Sequence, residues 1–401
     1  MIEVDISNGE RAARGGKVAK GENATKGRNM QLTALKAIGI LLVVSCHLGD
    51  NLFNWIGIQI TDTRELFPEY SYHMPLFVFA SGYFYKRVYE SDVWSLAKKR
   101  FTSIIKYMRC NLFYLVACFV LVSAGVYERH IEFGLRSLLV EPFLGGFQFY
   151  FNGAAWFVPF LFLVQVSYVL VRRAIGNKIE AFGNKFSTTV KQEVIFLGAL
   201  VAVGFGATWV AGLYPVDDGG NVNIVHCLIR VCWGMQFFEL GFFYKQFIEK
   251  KICLSVTSFL AVIACKVALY LTFGYCTFSL RVVQFGDHVV LPVVVSVLGI
   301  AYCLHLAKFV AWAGERVASI GAVVNFIGEN TWSIMMHHLF VKWWLERFYE
   351  DFGVSSAVGY FVSPVVCVVA PLVFVWACKE VKAWIDNRDE AEIVHLFSHA
   401  G

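Results

Sequence analysis

The chain has 401 residues, of which 57% are hydrophobic and only 16% charged, with a formal net charge of +5. Soluble domains carry roughly a quarter charged residues, so this composition leaves too little polar surface for the two or three soluble domains such a length would allow. The basic residues are scattered rather than striped, which excludes a nucleic-acid partner and places charge in loops beside a lipid bilayer.

In chain order, residues 1–30 are rich in Gly, Lys, Arg, Asn and Glu and read as a flexible cytoplasmic tail. They lack the short apolar region and small-residue cleavage site of a secretory signal. Apolar spans follow near 33–53, 71–87, 103–125, 154–171 and 193–213, then near 225–244, 252–273, 286–307, 330–347 and 356–378. They predict an all-α, multi-pass membrane protein with about ten transmembrane helices, closed by a second tail over 381–401. With the first tail inside, the inner segments hold Lys86, Arg87, Lys98, Lys99, Arg100, Arg172, Arg173, Lys178, Lys185 and Lys191. They also hold Lys245, Lys250, Lys251, Lys308, Arg316, Lys379, Lys382 and Arg388. The outer segments hold only Arg64, Arg129, Arg136, Arg281 and Arg347, so both termini are expected in the cytoplasm.

Two connecting segments stand out. "SDVWSLAKKRFTSIIKYMR" interleaves bases with Trp94, Leu96, Phe101 and Ile104, as an interfacial turn or helix would, although charge that only sets topology gives the same pattern. "VEPFLGGFQFYFNGAAWFVP" carries one charge, Glu141, and is too apolar for a solvated loop, so a re-entrant or cavity-lining segment is expected. The cysteines lie mostly in apolar spans, without a C-x-x-C pair. With only Cys276 expected outside, neither a metal site nor a disulfide framework is predicted.

The first span is "KAIGILLVVSCH", with Lys36 and His47 eleven residues apart. At 100° per residue that is about 1100°, about 20° past three turns, so the two share a face and lie about 16 Å apart along the axis. Ionisable groups at membrane depth usually face the bundle interior or a water-filled cavity, and one aqueous slot lined by both accounts for the spacing. The alternative is a snorkelling lysine plus a hydrogen-bonded core histidine. His73 opens the second span, and His337 and His338 lie in the ninth. The sixth span holds His226, with Arg230 and Glu239 nine residues apart and expected on nearly one face.

Together these segments resemble the membrane acyltransferase-3 family, especially its fucose 4-O-acetylase-like, glycan O-acetyltransferase branch. The likeness covers about residues 31–380, which would form one transmembrane domain. It rests on the basic residue, ten intervening residues and histidine from Lys36 to His47. "MPLFVFASGYFY", "AAWFVPFLFLVQ" and "NTWSIMMHHLF" add to it, the last counting onto Ser333 and His338. Family members often carry two basic residues before a proline at the third span. Here Lys98, Lys99 and Arg100 supply bases, but Lys106 stands about where the proline belongs.

The resemblance implies transfer of an acyl group, usually acetyl from acetyl-CoA, to a sugar hydroxyl of a cell-surface glycan or its lipid-linked precursor. It assigns His47, Lys36 and His338 to catalysis, with His47 either a general base for direct transfer or the carrier of an acyl-histidine intermediate, and Lys36, Lys99 and Arg100 to the CoA phosphates. His73 and Trp156 become candidates for holding the sugar or orienting the base, and no metal is required. A multi-pass protein of the plasma (inner) membrane is expected, either monomeric or homo-oligomeric. The rival reading is a glycan exporter or flippase, but no repeated halves with paired Gly/Pro breaks are visible.

Overall fold

A computed structural model describes residues 18–48, 67–127, 134–144, 149–182, 190–216, 222–354, 359, 362–378, 380, 381 and 384. The side chains of 18–29, 137, 150 and 176–182 are excepted. The long helices are α1 (Val18–Leu48), α2 (His73–Tyr83), α3 (Val93–Ser123), α4 (Phe157–Phe182) and α5 (Val190–Leu213). They continue as α6 (Ile224–Phe243), α7 (Val256–Phe273), α8 (Leu291–Arg316), α9 (Ala318–Glu329), α10 (Thr331–Phe352) and α11 (Val362–Cys378). A helix occupies each of the ten predicted spans, and among the described residues six helices are long and apolar enough to cross a membrane unaided. The protein is an all-α, multi-pass membrane protein.

α6 forms the centre, buried on most sides by α2, α4 and α5. α1 forms a second centre against α8, α9 and α10, and α2 touches both α1 and α6. With 11 residues, α2 is only about 16 Å long at 1.5 Å per residue, too short to cross alone. Nearly all of it is buried, because its neighbours rather than lipid surround it. Where α2 crosses α6, a Cβ on Gly82 would overlap the carbonyl of Phe238, and one on Gly241 the carbonyl of Phe79. Glycine lets the two backbones touch, as small residues do in membrane helix pairs.

Two expectations are placed and two change. Residues 18–30 of the expected tail are helical as part of α1, while 1–17, 49–53 and 385–401 lie outside the described residues. Of the turn or helix expected for the basic segment after residue 91, the structure has the helix. It forms the first turns of α3, capped by Asp92, whose carboxylate accepts from the Ser95 amide at 2.9 Å. The expected inner loop before residue 330 contains α9, an apolar helix of 12 residues packed along α1 and α8. Finally, Arg230 and Glu239 do not share a face: nine residues advance about 900°, half a turn off register. Arg230 bonds to the carbonyls of Arg281 and Leu144, and Glu239 to Tyr168 and Arg172.

The aromatic segment before α4 is a turn of helix over Glu141–Leu144 and a 3₁₀ stretch over Tyr150–Trp156. Residues 151–156 are all buried, and the stretch packs on α10. Its backbone is tolerated inside the bundle because protein groups meet it: Cys227 and Arg230 donate to the carbonyls of Phe143 and Leu144.

Candidate active site

Lys342 of α10 reaches the backbone of α1 at His47, its Nζ donating to His47 O at 2.7 Å while lying 3.4 Å from Glu346 Oε1. One turn earlier on the same face, His338 brings its ring to 5.3 Å from that of His47, centroid to centroid. α10 therefore holds both the backbone and the ring of His47.

His338 is buried, and its Nδ1–H donates to the carbonyls of Ile334 at 2.8 Å and Met335 at 3.1 Å. Carbonyls accept only, so the proton sits on Nδ1 and Nε2 is the acceptor. That Nε2 is buried and has no hydrogen-bond partner among the described residues. The neighbouring His337 points elsewhere: its Nδ1 meets the Tyr114 hydroxyl at 2.6 Å, in a separate small core of Tyr114, Tyr127 and Phe151.

The 3₁₀ turn Glu69–Ser71 closes a third side. Tyr70 sets its ring edge-on to His47 at 6.5 Å and to His73 at 5.5 Å, and its hydroxyl donates to Cys46 O at 3.3 Å. His73 opens α2 and donates through Nδ1–H to Glu69 O at 2.5 Å. Ser45 donates to Glu69 Oε1 at 3.4 Å, tying this turn to α1. Beyond Tyr70 lie Arg281 and Arg230, with Trp156 packed 5.7 Å from the Arg230 guanidinium and buried. Arg281 sits in the loop after α7. Burial and the adjacent Arg230 push its guanidinium down to about 10, which leaves it a cation at neutral pH. The charges acting on the His47 imidazole come from His338, His73, Lys342 and Arg281, with no carboxylate of the described residues among them.

At the other end of the shared face, Lys36 is half-buried and lies near Glu329, the last residue of α9. α1 is unbroken from Lys36 to His47, so the helical spacing holds. Lys99 is exposed on α3, and Arg100 is half-buried with a buried Nε that has no partner among the described residues. No contact among the described residues joins these two bases to Lys36. Nor is any group of three His, Cys, Asp or Glu placed to hold a metal ion among the described residues.

A family model described as an acyltransferase domain matches residues 30–379. The chain belongs to the membrane acyltransferase-3 family. Comparison with curated proteins and with solved structures finds no match.

In this acyltransferase two sets of residues escaped the sequence reading. Lys342, Tyr70 and Arg281 surround His47, and only Lys342 carried a local signal, its spacing of four from His338. The second set lies towards the other end of the bundle. Arg172, expected to be a topology-setting charge, is buried and bonds to Glu90 at 2.8 Å, to Glu239 at 2.9 Å and to Glu193. Arg87 also meets Glu193, and the Tyr168 hydroxyl donates to Glu239. This hub joins α4, α5 and α6 to the segment after α2, and leaves the His47 cluster as the place where imidazoles converge.

Proposed function

We propose that this acyltransferase moves an acetyl group from cytoplasmic acetyl-CoA to a hydroxyl of a cell-surface glycan or its lipid-linked precursor, at the plasma membrane. The observation that carries the reading is α1 itself, with Lys36 at one end of a continuous face and His47 at the other, held by His338 and Lys342. CoA is a polyanion made in the cytoplasm, so its phosphates belong at the inner end, beside Lys36, with Lys99 and Arg100 of α3 as further bases. The extended pantetheine arm then carries the thioester along this face of α1 towards His47.

At that end His47 takes the proton of an acceptor hydroxyl as its oxygen attacks the thioester carbonyl. Collapse of the tetrahedral adduct breaks the C–S bond, and the proton passes from the imidazolium to the departing thiolate. The products are a sugar ester and free CoA thiol. Lys342 and Arg281 supply positive charge where the oxyanion develops, and His338 offers its Nε2 lone pair to hold the His47 ring. Tyr70, His73 and Trp156 with Arg230 border the side left for the acceptor sugar.

The test is mass spectrometry of surface glycans from cells carrying the wild type or His47→Ala. The wild type should add an ester-labile acetyl increment, and the variant should lose it by about 10²–10⁴ in rate at equal protein level. Acetylation by a well-expressed His47→Ala protein at the wild-type rate would remove His47 from the chemistry.

A further inference from the structure

α7 is a peripheral helix that packs chiefly on α8, with Leu260, Val267, Leu271 and Phe273 exposed along it. Its one buried residue is Lys266, only 4% exposed. A cation turned into the bundle from a lipid-facing helix is unfavourable unless an anion meets it. No hydrogen bond or ion pair reaches Lys266 among the described residues. Its ammonium lies 5.4 Å from the centroid of Phe67, which is stacked on Tyr302 at 4.3 Å, and the titratable group acting on it is Cys276.

Cys276 leads to an open space. It lines a cavity of about 210 Å³ together with Phe273, Tyr275, Phe285, Asp287 and His288. Asp287 is exposed and forms no ion pair with Lys266. The Cys276 carbonyl accepts from Ser71 Oγ at 3.2 Å, and Ser71 adjoins Tyr70, whose ring edges His47. The cavity therefore lies at the His47 end of the bundle. Lys266 is seven residues before the end of α7, about 10 Å at 1.5 Å per residue, within reach of headgroup level for a snorkelling lysine.

We propose that Lys266 and the cavity beyond Cys276 hold a phosphate group, the headgroup of a lipid-borne molecule whose tail lies along the exposed apolar flank of α7. The anions a bilayer offers at that depth are phosphates, and lysine meets them as a point charge. The apolar flank beside the ammonium favours a lipid over free phosphate. The inference rests on the function proposed above only in taking that lipid as the carrier of the acceptor sugar; the lysine–phosphate contact is tested by itself.

The experiment measures binding of dodecyl phosphate, dodecanol and inorganic phosphate to the purified full chain in detergent, by native mass spectrometry and calorimetry. Dodecyl phosphate should bind at least about tenfold more tightly than dodecanol; Lys266→Met should abolish that preference, and Lys266→Arg should keep it. Competition by inorganic phosphate alone would assign the site to free phosphate, and its failure to compete would assign it to a lipid headgroup. Without ligand, Lys266→Met should unfold at a temperature no lower than the wild type, because it replaces a cation held among apolar groups by an apolar side chain of similar length. Should that variant not purify, Cys276→Trp, which fills the cavity, should abolish the preference instead. A wild type that binds alcohol and phosphate alike, or a variant that keeps the preference, overturns the proposal. Phosphate binding that depends on Lys266 in a protein that acylates no lipid-linked sugar would instead overturn the acceptor assignment alone.

Discussion

Lys36 and His47 are the two residues whose relation the sequence conveys best, because a helical repeat is a local property and α1 is unbroken between them. If Lys36 receives a CoA phosphate, Lys36→Ala should weaken CoA binding measured by calorimetry, and Lys36→Arg should retain part of it through its charge. An affinity unaltered by Lys36→Ala would leave only a snorkelling role. Lys342 was not conveyed, since its partner is a backbone carbonyl 295 residues away, and no side-chain pattern marks a carbonyl. It positions His47 through that carbonyl and, in the proposed reaction, places its charge beside the oxyanion. Lys342→Met should release the His47 backbone and lower kcat by up to about 100-fold, with little change in KM for the donor. Lys342→Arg should restore part of kcat, whereas a KM effect alone would place Lys342 in donor binding. His338 could be told from His337 only by the family's spacing, because adjacent residues point about 100° apart and periodicity does not say which side faces α1.

At the scale of elements, the hydrophobic spans were legible because about 20 apolar residues in a row have few other uses. α9 was not, since 12 residues cannot cross a bilayer and only packing along α1 and α8 holds them in place. The short α2 shows the same limit from the other side: its sequence reads as a span, and its length does not allow it to cross alone. The Arg172 hub was also hidden, because its three carboxylates come from the segment after α2 and from α5 and α6. Arg172→Met would leave Glu239 without its cation in the interior and Glu193 with Arg87 alone, costing about 3–5 kcal/mol. Thermal unfolding in detergent should therefore show a large drop for this variant. A variant as stable as the wild type would mean the hub contributes little to holding α4, α5 and α6 together.

For the whole molecule, the two ends of the bundle have different characters. The His47 end collects imidazoles, Lys342 and two arginines, while the other end is braced by an ion-paired hub that uses its charges on itself. The proposed reaction, with its donor from one side and its acceptor at His47, would use this division, and its chemistry requires no gradient and no sealed compartment. The most direct measurement is release of free CoA thiol by the purified protein in detergent, given acetyl-CoA and a panel of glycan and lipid-linked sugar acceptors across a pH series. A general base must be unprotonated, so release should be high at neutral and mildly alkaline pH and fall as acid protonates the imidazole. It should also be absent for His47→Ala throughout. Thiol release that is independent of acceptor, shows no acid limb and persists in His47→Ala would contradict histidine-based acyl transfer at this site.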